Sequence, residues 1–335
     1  MRSAFAWHDG ERLIRFGRDA LSAAPALLAE RGFEGYALLT TERALASAPA
    51  LGGRAAHVLH VPPGPVAGTA AAARAGAGRR PLVALGGGRV IDSAKAIAAA
   101  DGLACAAIPT TLSGAELSRR HRLPEGFEGV TLVRPSLVIA DPALMASQPM
   151  PGLAASAMNA LGHALEALYV PSANPVAELA ALEGAALIAR GLAQEEVGRE
   201  QLALGALLAG YALGATGLAV HHVLCQTLVR LGATSHAETN AVMLPHSVRL
   251  MSSRAPRELG RFAEALGAGS PDPAVAAQLA GPIAARSGVS TLSQLGVPAE
   301  ALPDVARAAV SRAELHDTPA APGQAELLAV LRAAL

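Results

Sequence analysis

Asn159 and His163 lie four residues apart in SAMNALGHALEALY, so on a helix they share one face. His222 and His236 bracket a glycine-containing turn fourteen residues apart. Any one of these histidines alone reads as a core or surface residue. The set of four reads as convergent nitrogen and oxygen donors able to act as ligands. A second kind of chemistry is written in the first half. In VALGGGRVIDSAKAIA, Val83 to Ala98, an apolar strand runs into Gly86, Gly87 and Gly88 and at once into a helical pattern. Such a turn lets backbone N–H groups approach a pyrophosphate while the helix N-terminus adds partial positive charge. A purely steric turn would be written the same way. Asp92 and Lys95, three apart on that helix, read by themselves as a surface pair. After the next strand, Ile108-Pro109-Thr110-Thr111-Leu112-Ser113-Gly114 places hydroxyls where open α/β sheets bind ligands, although an ordinary hydroxyl-rich turn would look alike.

Positioning these groups requires two kinds of architecture. Up to about residue 150, short β-like runs alternate with Ala-rich helical ones: LIRF (13–16), YALLT (36–40), AHVLHV (56–61), PLVAL (81–85), ACAAI (104–108) and SLVIA (136–140). Nearly continuous Val/Leu/Ala strands belong in a parallel sheet covered by helices on both faces. The expected domain, 1–149, is therefore a doubly wound α/β unit. From Pro149-Met150-Pro151 onward the pattern is long helical segments, with breaks at Pro171, Pro175, Gly232, Pro245, Pro256, Pro271, Pro298 and Pro303, giving an all-α domain over 150–335. The charge-free stretch from Leu202 to Val220 is long enough for a membrane span, but its Ala, Gly and Leu residues fit a closely packed buried helix better.

Composition narrows the classes. The chain has 335 residues, 27 Lys+Arg against 27 Asp+Glu, 16% charged and 52% hydrophobic residues. That is neither a disordered tail nor the basic excess of a nucleic-acid binder, and it favours a small-molecule substrate. Cys105 and Cys225 both sit in apolar runs, and the first residues contain no apolar export segment, so a reduced, cytoplasmic protein is expected, off the membrane. Lys95 is the single lysine beside 26 arginines, which suggests a place that needs a compact ammonium.

In order along the chain, GGGRVIDSAK, IPTTLSG, NALGHALEALY, HHVLC and SHAETNAVMLPH resemble the iron-containing alcohol dehydrogenase superfamily, and within it the maleylacetate reductase branch. The resemblance implies the dehydroquinate synthase-like fold: an N-terminal Rossmann-like α/β domain plus an all-α C-terminal domain, a cleft between them, and a homodimer. It implies NADH or NADPH as cofactor, with the binding roles falling on Gly86, Gly87, Gly88, Asp92, Lys95, Thr110 and Thr111. Metal-dependent members hold iron or zinc with an aspartate and three histidines, at positions that here are Asn159, His163, His222 and His236. An amide in place of the carboxylate removes the anionic oxygen that hard cations favour, so a metal-free site is expected.

Some positions depart from the family pattern. Arg89 follows the glycines where serine is usual, and Thr40-Thr41 ends the second predicted strand where NAD-preferring relatives carry an acid, so Arg89 and Thr41 join the expected cofactor contacts and leave NADPH unopposed. Gln226 stands where a proton-relay histidine is frequent, and glutamine is no general acid. The segment Glu116 to Pro135 is short and basic, and Arg119, Arg120, His121 and Arg122 either bind a dicarboxylate or form an exposed basic loop. The function implied is reduction of the C=C bond of a small anionic enone such as maleylacetate, with Asn159, His163, His222 and His236 stabilising the enolate. The alternatives are a metal-dependent alcohol or aldehyde dehydrogenase, a repurposed lyase or cyclase, and a silent nucleotide-binding module.

Overall fold

The computed structural model describes residues 4–129, 132–194, 196–232 and 234–335. It divides into two compact units, one ending at Ser147 and the other running from Gln148 to Leu335.

In the first unit the described residues form seven strands, β1 (Phe5–Asp9), β2 (Arg12–Phe16), β3 (Ala37–Thr40), β4 (His57–His60), β5 (Leu82–Gly86), β6 (Cys105–Pro109) and β7 (Leu137–Ala140), in the order β1-β2-β7-β6-β5-β3-β4. The six predicted strands are all present. The sheet is parallel from β2 to β4, but β1 adds an antiparallel edge that corrects the all-parallel expectation. Asp9 pairs with Arg12 across Gly10-Glu11, and Gly10 has φ +61°, the backbone a two-residue hairpin turn demands.

The apolar strands are continuous because each face has its own core. Ala37, Leu39, Leu82, Ala84, Cys105 and Ala107 pack in one core with residues of α4 (Val66–Ala77) and α5 (Gly88–Asp101). Leu38, Val83, Leu85, Ala106, Ile108, Leu137 and Ile139 pack in the other with α1 (Ala20–Glu30), α2 (Glu42–Ser47) and α3 (Pro49–Gly52). Alternate residues of one strand thus enter different cores, the sidedness of a doubly wound sheet. The short α6 (Pro142–Met145) closes the unit.

The described residues of the second unit are helical: α7 (Met150–Glu166), α8 (Pro175–Ala193), α9 (Arg199–Ala215), α10 (Val220–Gly232), α11 (His236–Met251), α12 (Pro256–Ala265), α13 (Pro273–Ala285), α14 (Leu302–Val310) and α15 (Gln324–Ala333). Pro175, Pro256 and Pro303 stand in first turns, where a missing N–H costs nothing. Pro245 corrects the reading: it lies inside α11. The helix runs through it, at a propensity cost of about 3 kcal/mol, because Ala241, Val242, Met243, Leu244, Ser247 and Val248 around it are buried. The predicted single helix from Leu202 to Val220 is also corrected. It ends at Ala215, and α10 departs at 98°. No single helix among the described residues is long and apolar enough to cross a membrane. The expected close packing holds where α8 meets α9: a Cβ on Gly184 would lie 2.8 Å from the Gly205 carbonyl oxygen.

Candidate active site

In the first unit, Gly86 ends β5, Gly87 caps α5 with extended backbone, and Gly88 is its first residue. None of the three adopts positive φ, so their requirement is space. A Cβ on Gly87 would lie 3.0 Å from Thr111 Cγ2, and one on Gly88 would lie 3.2 Å from Ser113 Cβ. The Thr110 N–H donates to the Gly86 carbonyl at 2.9 Å, locking the Thr-Thr turn against the glycine turn. No side chain caps the start of α5, Gly87 and Gly88 are partly accessible, and Arg89 is exposed. These groups fit a dinucleotide pyrophosphate. Thr41 caps α2, its hydroxyl accepting the Ala44 N–H at 3.3 Å.

Lys95 is placed differently from a surface partner of Asp92. Its side chain is fully buried, and Nζ donates to the carbonyls of Ala115 (2.8 Å), Ser118 (3.1 Å) and Arg120 (2.7 Å) while pairing with Asp92 Oδ1 at 2.7 Å. That commits the ammonium to its own chain: it fixes the loop 115–120. Arg12 pins the same loop through the Leu117 carbonyl at 3.0 Å. Between these cations lies Glu116, fully buried, with neither carboxyl oxygen hydrogen-bonded among the described residues. Burial pushes its pKa up to about 7. Of the basic run, Arg119, Arg120 and Arg122 have exposed side chains, whereas His121 accepts the Val133 N–H through Nε2 at 3.0 Å and is a structural residue.

In the second unit, the four predicted side chains converge. The rings of His163 and His222 stack with centroids 4.6 Å apart, His236 lies 6.5 Å from His222, and His222 Nε2 is 3.4 Å from Asn159 Oδ1. Asn159, His163 and Glu166 project from one face of α7 at positions i, i+4 and i+7. Gly162 allows α10 to come close: a Cβ there would lie 2.6 Å from the His221 ring and 3.2 Å from His222.

Two groups that the sequence reading passed over set the protons. Glu166, fully buried, accepts the His222 backbone N–H at 3.1 Å and lies 2.6 Å from His222 Nδ1. That contact puts a proton on Nδ1 and leaves Nε2 facing Asn159. His221 lies beside it, with Nε2 2.9 Å from Asn240 Oδ1 and Nδ1 3.0 Å from Ser247 Oγ. Asn240 donates its own amide to the His236 carbonyl at 2.8 Å, so its Oδ1 must accept, Nε2 of His221 carries the proton, and Ser247 donates to Nδ1. Burial holds His163 well below the usual imidazole range and brings His221 down to about 3; the neighbouring imidazoles add to both shifts. Both rings are neutral at pH 7. Burial pushes the Glu166 carboxyl up. The signal for Glu166 was available, since it is the one acid on α7 and falls on the Asn159/His163 face. His221 and Asn240 carried none.

These residues do not fit a divalent metal. Asn159 brings no charge, and Glu166 is committed to His222. Rings 15° from parallel send their in-plane lone pairs side by side rather than to one point. Among the described residues, no group of His, Cys, Asp and Glu has a metal-holding arrangement. His163 Nδ1 is buried without a hydrogen-bond partner among those residues, a polar atom left over for a ligand. One turn along α10 from His222, Gln226 Oε1 accepts from Arg312 Nη2 at 2.7 Å.

Both units match models of one enzyme family. The C-terminal model of the Fe-containing alcohol dehydrogenase family matches residues 153–335, and an iron-containing alcohol dehydrogenase model matches residues 15–149. Maleylacetate reductase 1 of Rhodococcus opacus is 40% identical over 198 residues, 55% of each chain, so the aligned stretch spans about half the length of that curated relative. The crystal structure of maleylacetate reductase from Agrobacterium tumefaciens superposes with a TM-score of 0.82 at 29% identity, covering 100% of this chain and 99% of that one. Sulfoacetaldehyde reductase from Bifidobacterium kashiwanohense, solved with NAD+, shares the fold at 20% identity and a TM-score of 0.82, covering 98% of both chains. With both units matched, the chain belongs to the iron-containing alcohol dehydrogenase family.

Proposed function

We propose that this protein is a metal-independent, NADH- or NADPH-dependent reductase that saturates the C=C bond of a small anionic enone, converting maleylacetate to 3-oxoadipate. The observation that carries the reading is the convergence of Asn159, His163, His222 and His236, with an uncharged amide where a metal site would bring a carboxylate. Similarity to maleylacetate reductases supports it. Gly86, Gly87 and Gly88 with the uncapped start of α5 would hold the dinucleotide, with Thr110, Thr111 and Arg89 beside them. When bound, the reduced nicotinamide supplies a hydride to the carbon β to the ketone.

The helical unit answers the charge that results. As electrons move onto the ketone oxygen, the His163 and His236 imidazoles and the Asn159 amide donate hydrogen bonds to the enolate, the work a Lewis acid would do in metal-dependent relatives. His222, stacked on His163 and fixed at Nδ1 by Glu166, holds this set in place. Solvent then supplies the proton that adds to the α carbon.

Following NADH and NADPH absorbance with maleylacetate and with simple aldehydes tests the activity. Oxidation with maleylacetate is expected. Turnover of aldehydes alone would replace the reading with an alcohol dehydrogenase, and near-stoichiometric iron or zinc in protein purified without chelators would remove metal independence. His222→Ala is expected to lower kcat with cofactor affinity nearly unchanged. The reading also includes a homodimer, to be checked by light scattering.

A further inference from the structure

We propose that Arg312 and Gln226 form a carboxylate-recognition fork, one helical turn from His222, that reads the negative charge of the substrate. This rests on the enone-reductase reading and adds to it the residues that select an anion.

The fork follows from donor bookkeeping within the helical unit. Arg312 Nη2 donates to Gln226 Oε1 at 2.7 Å and to Glu314 Oε1 at 3.1 Å, and Nε contacts Glu314 Oε2 at 3.4 Å. Nη1 is buried and has no hydrogen-bond partner among the described residues, on a side chain only 10% exposed. A buried guanidinium N–H without an acceptor is costly unless a ligand completes it. Because guanidinium only donates, the Gln226 atom facing it must be the oxygen, which turns the NH2 end away from Arg312. With the Nε and Nη2 edge held by Glu314, Arg312 Nη1 and Gln226 Nε2 are the donors left over at this contact for an acceptor such as a carboxylate.

The segment carrying Arg312 is built against α10. Thr318 accepts the Val220 N–H at 3.0 Å at the start of that helix, Leu315 is buried, and Arg312 meets Gln226 nearly two turns further along. His222 and Gln226, four apart, share a face of α10, which puts the fork on the helix face that carries His222. Glu314 offsets part of the arginine charge, which suits a carboxylate that must leave after turnover.

The test compares wild type, Arg312→Gln and Gln226→Glu. Gln226→Glu is nearly isosteric and keeps the fold, while replacing the NH2 donor by a charge that occupies the guanidinium and repels an anion. Both variants are expected to raise KM for maleylacetate about 10- to 100-fold with a much smaller change in kcat, and to weaken calorimetric binding of 3-oxoadipate by at least about tenfold. Activity on a neutral enone such as 3-penten-2-one should change little. KM within about twofold of wild type in Gln226→Glu, or an equal loss on the neutral enone, overturns the fork. If wild type binds 3-oxoadipate through these residues but reduces no enone, the reductase reading falls and the fork stands. If wild type reduces maleylacetate and the variants are unaffected, the fork alone falls.

Discussion

Glu166 takes two donors of His222 on separate oxygens, the backbone N–H on Oε1 and Nδ1 on Oε2. Glutamine has the same shape but only one acceptor, so Glu166→Gln leaves one donor facing an NH2 group. We expect kcat to fall about 10- to 100-fold while KM for NADH, which the proposed reading assigns to the glycine turn, is preserved; steady-state kinetics check this. Glu116 makes a different prediction. Its folded pKa, raised to about 7, lies above the ordinary 4.5, so between those values the folded state binds the extra proton. Its contribution is present below about pH 4.5 and is lost as pH rises through 7, amounting to about 3 kcal/mol. Glu116→Gln should therefore be more stable than wild type at pH 8 and about equal at pH 4.5, measured by urea unfolding. His163 and His221 act in the opposite sense. Their lowered values mean the unfolded chain takes up protons first, so stability drops as pH falls below the ordinary 6.5.

At the scale of elements, two close approaches shape the sites. The contact of α7 with α10 depends on Gly162. Alanine would improve helix propensity by about 1 kcal/mol, but its Cβ would enter the space of the His221 ring at 2.6 Å. Both rings are hydrogen-bonded and buried, so neither gives way cheaply, and overpacking of this kind costs about 1–3 kcal/mol. Gly162→Ala is expected to lower Tm by a few degrees and kcat with it, by calorimetry and kinetics. In the other unit, the 115–120 loop hangs on one ammonium. Lys95→Met would strand three carbonyls and Asp92, costing about 3 kcal/mol in denaturant unfolding. Lys95→Arg should not rescue it, because a planar guanidinium cannot replace a compact donor among acceptors on several sides. That is the physical content of the single lysine in an arginine-rich chain.

Across the whole molecule, the proposed reading gives cofactor binding and charge stabilisation to separate units. Gly88→Val, which would drive a side chain toward Ser113, should raise KM for NADH by at least about tenfold while leaving 3-oxoadipate binding intact. Much of this division is legible in the sequence because its signals are local. Continuous apolar runs bounded by turn residues set β2 to β7, the glycine turn needs only strand, glycines and helix in succession, and Asn159 with His163 follows from helical period. The β1 edge was written too, in a hairpin at Asp9-Gly10. What the fold alone decided involves residues far apart in the chain: Lys95 with the Arg120 carbonyl, Glu166 with His222, Gln226 with Arg312. Pro245 belongs with them, since only the packing around α11 offsets its missing hydrogen bond. Periodicity reports which way a side chain faces along its own element, whereas the partner it meets there is set by how elements pack, and a buried polar group takes its role from that partner.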